Sequence, residues 1–172
     1  MARNLEFKAR VEDLSSLERL FKENGATFIE VLIQTDTYYC VQKGRLKLRE
    51  TVGHQPELIF YERDESSAAS MQSSYDVVQL AEPSLKDLLV KSLGVKAVVH
   101  KERRLLKLRN ARVHLDQVKC LGQFLEFEVV SEGDGAGDAE LLDKLKGLAN
   151  SSVTEEIKSS YSDLMISNQL VS

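Results

Sequence analysis

The sequence predicts an α+β fold: a closed eight-stranded antiparallel β-barrel with a charged interior and helices packed outside. Three observations predict it. Short alternating segments recur along the chain, separated by the Gly, Asn and polar turns that hairpins require. Segments of helical periodicity are inserted among them and appended after them. The charges of the alternating segments fall on one parity, so each strand has a charged and an apolar face. With 172 residues and neither repeat nor linker, the chain reads as a single domain spanning 1–172.

Residues 4–11 alternate and predict the first strand. A helix follows, in which Ser15 and Glu18 form a capping box, Leu14, Leu17, Leu20 and Phe21 make an apolar stripe, and Gly25 is the stop. Residues 27–42 predict a second strand, Gly44 a turn, 45–51 a third strand and 57–63 a fourth. The small polar stretch 65–74 predicts a mobile loop, and 75–80 a short fifth strand. Pro83 and Ser84 open a helix carrying Leu85, Leu88, Leu89 and Leu93, closed by Gly94. Residues 96–109, 111–119 and 123–131 predict strands six to eight, with Asn110 and Gly122 at the turns. Residues 132–138 read as a flexible connector and 139–149 as a helix. The last helix is expected over about 154–168, capped by Thr154. Its Ile157, Tyr161, Leu164 and Met165 are expected to pack over the barrel wall.

Composition narrows the function. The formal charge of -4, from 27 acidic and 23 basic residues, argues against a protein built to coat nucleic acid or an anionic membrane. No segment has the pattern of a secretory signal or a membrane span. Cys40 and Cys120 lie far apart without a CxxC partner, and read as small buried or semi-buried thiols of a reducing compartment. A cytoplasmic protein is expected.

The distribution of charge is more informative than its sum. Asn4, Glu6, Lys8 and Arg10 share a face of strand one, and Arg45, Lys47 and Arg49 a face of strand three. Lys101, Arg103, Lys107 and Arg109 share one in strand six, Arg112, His114 and Asp116 in strand seven, and Glu126 and Glu128 in strand eight. Segregating signs by strand costs self-repulsion, which calls for a compensating ligand. The apolar stripes of the helices need the apolar strand faces, so the charged faces are expected to look at one another across a wet interior. Bases there suit a polyanion, because guanidinium and ammonium groups bind phosphate oxygens strongly in a partly desolvated site. Carboxylates there suit a hard divalent cation bridging the phosphates. His114, between Arg112 and Asp116, reads as a polar wall residue. Tyr38 and Tyr39 either pack or contact a base.

Several ordered motifs resemble the CYTH superfamily, the triphosphate tunnel metalloenzymes, and most closely its class IV adenylyl cyclase branch. Residues 4–8 (NLEFK) are similar to its ExExK signature with the first Glu replaced by Asn4. Residues 35–39 (TDTYY), 44–50 (GRLKLRE), 57–63 (ELIFYER), 101–104 (KERR), 112–118 (RVHLDQV) and 121–130 (LGQFLEFEVV) carry the rest. The resemblance implies that Lys8, Arg45, Lys47, Arg49, Arg63, Lys101, Arg103 and Arg112 hold phosphates. It implies that Glu6, Asp116, Glu126 and Glu128 bind Mg²⁺ or Mn²⁺. It places the chemistry at Glu6, Lys8, Asp116 and Glu128. An amide at position 4 can still ligate such a cation, with one negative charge fewer. The expected partner is a triphosphate-containing small molecule, handled by a monomer or homodimer without nucleic acid or membrane. Triphosphate hydrolysis is the first reading. Cyclisation of ATP to cyclic AMP and pyrophosphate, or nucleotide or polyphosphate binding without turnover, stand as alternatives.

Overall fold

In the computed structural model, residues 2–64, 71–80, 85–131 and 134–168 are described. The elements run β1 (Ala2–Val11), α1 (Leu14–Glu23), β2 (Thr27–Tyr39), β3 (Arg45–Thr51), β4 (Glu57–Asp64), β5 (Met71–Gln79), α2 (Leu85–Leu93), β6 (Val95–Leu108), β7 (Ala111–Val118), β8 (Gly122–Val130), α3 (Asp138–Ala149), β9 (Val153–Glu156) and α4 (Tyr161–Ser167). The class is α+β, with one large antiparallel sheet and four helices among the described residues.

The sheet follows the order β5-β4-β3-β2-β6-β7-β8-β1-β9, with a further β5–β1 pairing. Residues 4–10 of β1 pair with β8, residues 2–6 with β5 and residues 9–11 with β9. A strand has two edges, so β5 and β9 share the edge of β1 opposite β8, each along one half. The expected eight-stranded barrel is therefore corrected to a nine-stranded sheet whose order ends in β9.

The extra strand replaces the start of the expected last helix. Thr154 is not a cap; its hydroxyl donates to the Arg10 carbonyl at 3.1 Å, where β9 takes the edge that β5 leaves open. Helix α4 starts later, at a capping box in which Ser160 and Asp163 bond each other's backbone N–H groups. Helix α1 is likewise capped by Asp13, not Ser15: Asp13 Oδ1 accepts from the Ser16 N–H at 3.0 Å. Of the stretch expected as a loop, residues 71–74 belong to β5, because pairing with β1 and β4 overrides a composition poor in strand formers. Residues 65–70, and the Pro83 and Ser84 expected to open α2, lie outside the described residues. Gly44 makes the β2–β3 turn as expected, at φ 64°. The Phe60 ring lies only 2.6 Å from where a Cβ would stand, so space as well as backbone selects glycine. Cys40 and Cys120 are free and exposed rather than buried, since each lies just past the end of a strand.

Two apolar clusters lie on opposite faces of the sheet. The outer one joins Phe7, Ala9, Leu106, Val113, Leu115, Leu125 and Phe127 to Leu17 and Phe21 of α1 and Leu141, Leu142 and Leu145 of α3. The inner one joins Tyr38, Ile59, Tyr61, Ala97, Val99, Val118 and Phe124 to Ile157 and to Tyr161 and Met165 of α4. Strand parity puts the inner cluster on the same face as the charges. Helix α4 thus corrects the expectation that every helix packs outside: it lies against the inner face and floors it. Among the described residues no helix is long and apolar enough to cross a membrane.

Candidate active site

The inner face encloses a cavity of about 590 Å³, within the range of small-molecule sites. Its lining includes the bases Lys8, Lys47, Arg49, Lys101, Arg103 and Arg112, the acids Glu6, Asp36, Glu126 and Glu128, and His114 and Tyr161. Register explains how distant segments meet there. Asp36 of β2 pairs across from Arg49 of β3, and Arg103 of β6 from Asp116 of β7. His114 of β7 faces Glu126 of β8, which faces Lys8 of β1; in the next row Arg112, Glu128 and Glu6 line up the same way.

Two ionic clusters result. In the first, Arg49 donates from Nε and Nη2 to the two Asp36 oxygens, both at 2.7 Å, while Lys101 and Lys47 donate to Oδ2 at 2.9 and 3.2 Å. Burial pushes the Asp36 carboxyl up, but Arg49, Lys101 and Lys47 outweigh it and hold it well below the usual range. In the second, Arg103 donates from Nε and Nη2 to Asp116 at 2.7 Å and from Nη2 to Glu126 at 2.6 Å. The Tyr161 hydroxyl donates to Asp116 Oδ2 at 2.7 Å, and Lys8 Nζ lies 3.3 Å from Glu126 Oε1. Burial raises the Glu126 carboxyl, and Lys8, Arg103 and His114 together bring it well below the ordinary value. Burial and the Asp116 carboxylate push the Tyr161 phenol well above its ordinary value, so it remains a donor.

These pairings revise the argument from segregated charge. Signs are segregated along β3 and β8, yet across strands they are complementary: Asp36 answers the bases of β3, and Arg103 and Lys8 answer Glu126 of β8. A ligand is not needed to neutralise the interior. The open cavity above the paired groups is what points to one.

The sequence-predicted residues separate accordingly. Glu6, Lys8, Lys47, Arg49, Lys101, Arg103, Arg112, Glu126 and Glu128 line the cavity. Asp116 is fully buried beneath it, both oxygens accepting from Arg103 and one also from Tyr161. Arg45 is turned to α4, where Nη2 donates to Asp163 at 2.8 Å. Arg63 pairs through its backbone with Ser73, and its side chain lies outside the described part. Lys107 and Arg109, on the predicted parity of β6, are not among the lining residues. Asp36 and Tyr161 were missed. Alternation in β2 gives Asp36 the parity of Gln34 and Tyr38, which was a usable signal; nothing in the spacing of α4 announces that Tyr161 turns inward.

Lys101 yields a pH prediction. Burial pushes its ammonium down to about 7, against the pull of Asp36. Tripolyphosphate affinity, measured by calorimetry, is expected to fall as pH rises through about 7, and Lys101→Met is expected to flatten that dependence. The sign for stability is opposite. The fold disfavours the charged form, so the penalty is full below about 7 and lifts between there and the model-compound value of 10.5.

A long antiparallel sheet whose charged inner face surrounds one cavity is the layout of a triphosphate tunnel fold. The chain belongs to the CYTH domain family, whose model matches residues 2–160. Among solved structures it is similar to the PH1012 protein of Pyrococcus horikoshii OT3, with 23% identity and TM-score 0.73 over 94% of this chain and 98% of that one. It is similar to a proposed adenylate cyclase of Vibrio parahaemolyticus, with 18% identity and TM-score 0.74 over 95% and 97%. It is also similar to the proposed adenylyl cyclase HpAC1 of Hippeastrum, in which a dominant triphosphatase activity is found, with 14% identity and TM-score 0.65 over 96% of each chain. No curated protein matches significantly.

Proposed function

We propose that this single-domain protein is a divalent-metal-dependent triphosphatase, with the charged inner face of the sheet holding the triphosphate. The observation that carries the reading is the convergence of Lys8, Lys47, Arg49, Lys101, Arg103 and Arg112 with Glu6, Glu126 and Glu128 on one cavity. The bases bind and orient the phosphate chain. Asp116 acts through Arg103, which it holds in a bidentate grip, rather than by reaching substrate. Helix α4, with Tyr161, closes the floor, so the phosphates enter from the mouth where Arg112 and Glu128 are more exposed.

The residues present fit a divalent cation. Glu6 and Glu128 supply oxygens on adjacent strands, with Glu126 beside them. The Asn4 side chain, on the same face of β1 as Glu6, is buried, and its Oδ1 has no hydrogen-bond partner among the described residues. A buried acceptor left bare in a polar site is what a cation or a phosphate-bound water would satisfy. When bound, the cation would neutralise charge on the phosphate oxygens.

Hydrolysis ranks ahead of cyclisation because water suffices as nucleophile, and the Hippeastrum neighbour's dominant activity agrees with that ranking. Incubation with ATP, tripolyphosphate or thiamine triphosphate, each with Mg²⁺ or Mn²⁺, is expected to release orthophosphate without a cyclic product. Cyclic AMP plus pyrophosphate would make the protein a cyclase, and tight binding without turnover a binder. Glu128→Ala is expected to lower turnover by roughly 10- to 100-fold and to raise the metal concentration needed. Unchanged metal dependence would remove Glu128 from the cation site.

A further inference from the structure

We propose that His114 is itself a metal ligand, making the cation site a mixed imidazole–carboxylate one that selects Mn²⁺ or Co²⁺ over Mg²⁺. The inference rests on the metal-dependent reading above and names which cation the site is built for.

The geometry is that of a histidine oriented for a metal. His114 is buried, and its Nδ1 lies 3.2 Å from Glu126 Oε2. Nδ1–H donates to the Glu126 carboxylate, which turns Nε2 to the opposite side as the ring atom that would meet a cation. There Nε2 lies 3.9 Å from Glu128 Oε2. Ligand atoms of His114, Glu126 and Glu128 all fall within 4.8 Å of one another. A cation with bonds of about 2.1 Å spans ligand pairs roughly 3 to 4.2 Å apart, so only a small swing of Glu128 is needed. Glu128 is the least buried of the three, and its tie to Arg112, at 3.4 Å, is long. A carboxylate on one ring nitrogen and a cation on the other is the arrangement that fixes a metal-binding imidazole.

Glu126 is already committed to Arg103, Lys8 and His114, so its role is to hold the ring. The remaining oxygens come from β1. Glu6 pairs directly across from Glu128, and the Oδ1 of Asn4, without a partner among the described residues, lies two residues along the same face. A site in which Asn4 and His114 stand beside two carboxylates carries fewer acidic ligands than an all-carboxylate cage. Magnesium demands oxygen ligands and gains little from imidazole, whereas Mn²⁺ and Co²⁺ accept it.

The test reads the ligands themselves. Mn²⁺ or Co²⁺ is titrated into the full chain with and without tripolyphosphate. Binding is followed by calorimetry, and coordination by Co²⁺ d–d absorption and by nitrogen couplings in pulsed electron paramagnetic resonance of Mn²⁺. The expected result is an imidazole coupling that persists in the His54→Gln/His100→Gln double variant and disappears in His114→Gln. In His114→Gln, Mn²⁺ affinity falls about tenfold or more while Mg²⁺ affinity changes little. Should His114→Gln fail to fold, the coupling in the double variant still decides, because His114 is then the sole histidine. Bound Mn²⁺ without nitrogen coupling would overturn the proposal and leave the metal-dependent reading standing, with His114 a polar wall residue between two carboxylates. No cation binding, with or without tripolyphosphate, would overturn both.

Discussion

Arg103→Ala is expected to destabilise the fold by about 3–5 kcal/mol, the cost of breaking a buried ion pair by removing one partner. The guanidinium answers two buried carboxylates at once. Without it Asp116 keeps the Tyr161 hydroxyl and the pull of Lys101, and Glu126 keeps Lys8 and His114. Urea denaturation measures the loss; a change under about 1 kcal/mol would mean that water reaches both acids. Arg103→Lys should recover only part, because an ammonium cannot make the parallel pair of bonds to Asp116. The pH dependence gives a second check. Burial raises Asp116 and Glu126, and Arg103 helps pull both below the ordinary carboxylate value. In the parent these carboxylates contribute stability above their unfolded pKa that is lost as pH falls through the folded one. In the variant they become easier to protonate, so the gap between the proteins should narrow at acid pH. A loss of triphosphate binding in this variant alone therefore does not identify Arg103 as a phosphate contact.

Asp36→Ala is the variant in which stability and ligand binding should part company. It leaves Lys47, Arg49 and Lys101 facing one another without their shared counter-charge, and a loss of about 3 kcal/mol is expected, eased where Lys101 sheds its proton. The same three cations are then unoccupied by carboxylate oxygens. Tripolyphosphate should raise the thermal midpoint of the variant more than that of the parent, by mass action on the folded state alone. Differential scanning calorimetry across a tripolyphosphate series reads both effects. Equal ligand-induced shifts in the two proteins would show that phosphate does not meet the Asp36 side of the cavity.

Strand parity was legible because it is local. Alternation alone put Glu6 with Lys8, Lys47 with Arg49, Lys101 with Arg103, and Glu126 with Glu128, and all eight line the cavity. What alternation could not supply is register, which depends on partners far along the chain. It is register that seats Asp36 across from Arg49 and buries Asp116 under Arg103, turning a wall of bases into paired clusters. Two short elements were misread for a related reason. Val153–Glu156 is too brief to alternate convincingly and is a strand because β1 offers it an edge. Tyr161 and Met165 have ordinary helical spacing, which says that a face is buried but not on which side of the sheet. The family resemblance added the roles expected of the acids and bases, and it did not distinguish Asp116, which holds another side chain, from Glu128 at the mouth.

The three partners of β1 also set an order of events while the chain is made. Its ten residues lead the described chain, yet the strand that covers most of them is β8, which begins at Gly122. At elongation rates of about 5–20 residues per second, β1 spends roughly 6–24 s emerged before its main partner exists. Lys8 has no Glu126 for that interval, and a strand edge stands open to other chains. Residues 2–6 are the first to gain relief, from β5, which follows some seventy residues behind. Cells making this protein quickly should therefore show their losses as aggregation of nascent chains, and slower elongation or a chaperone that shelters β1 should raise the soluble yield.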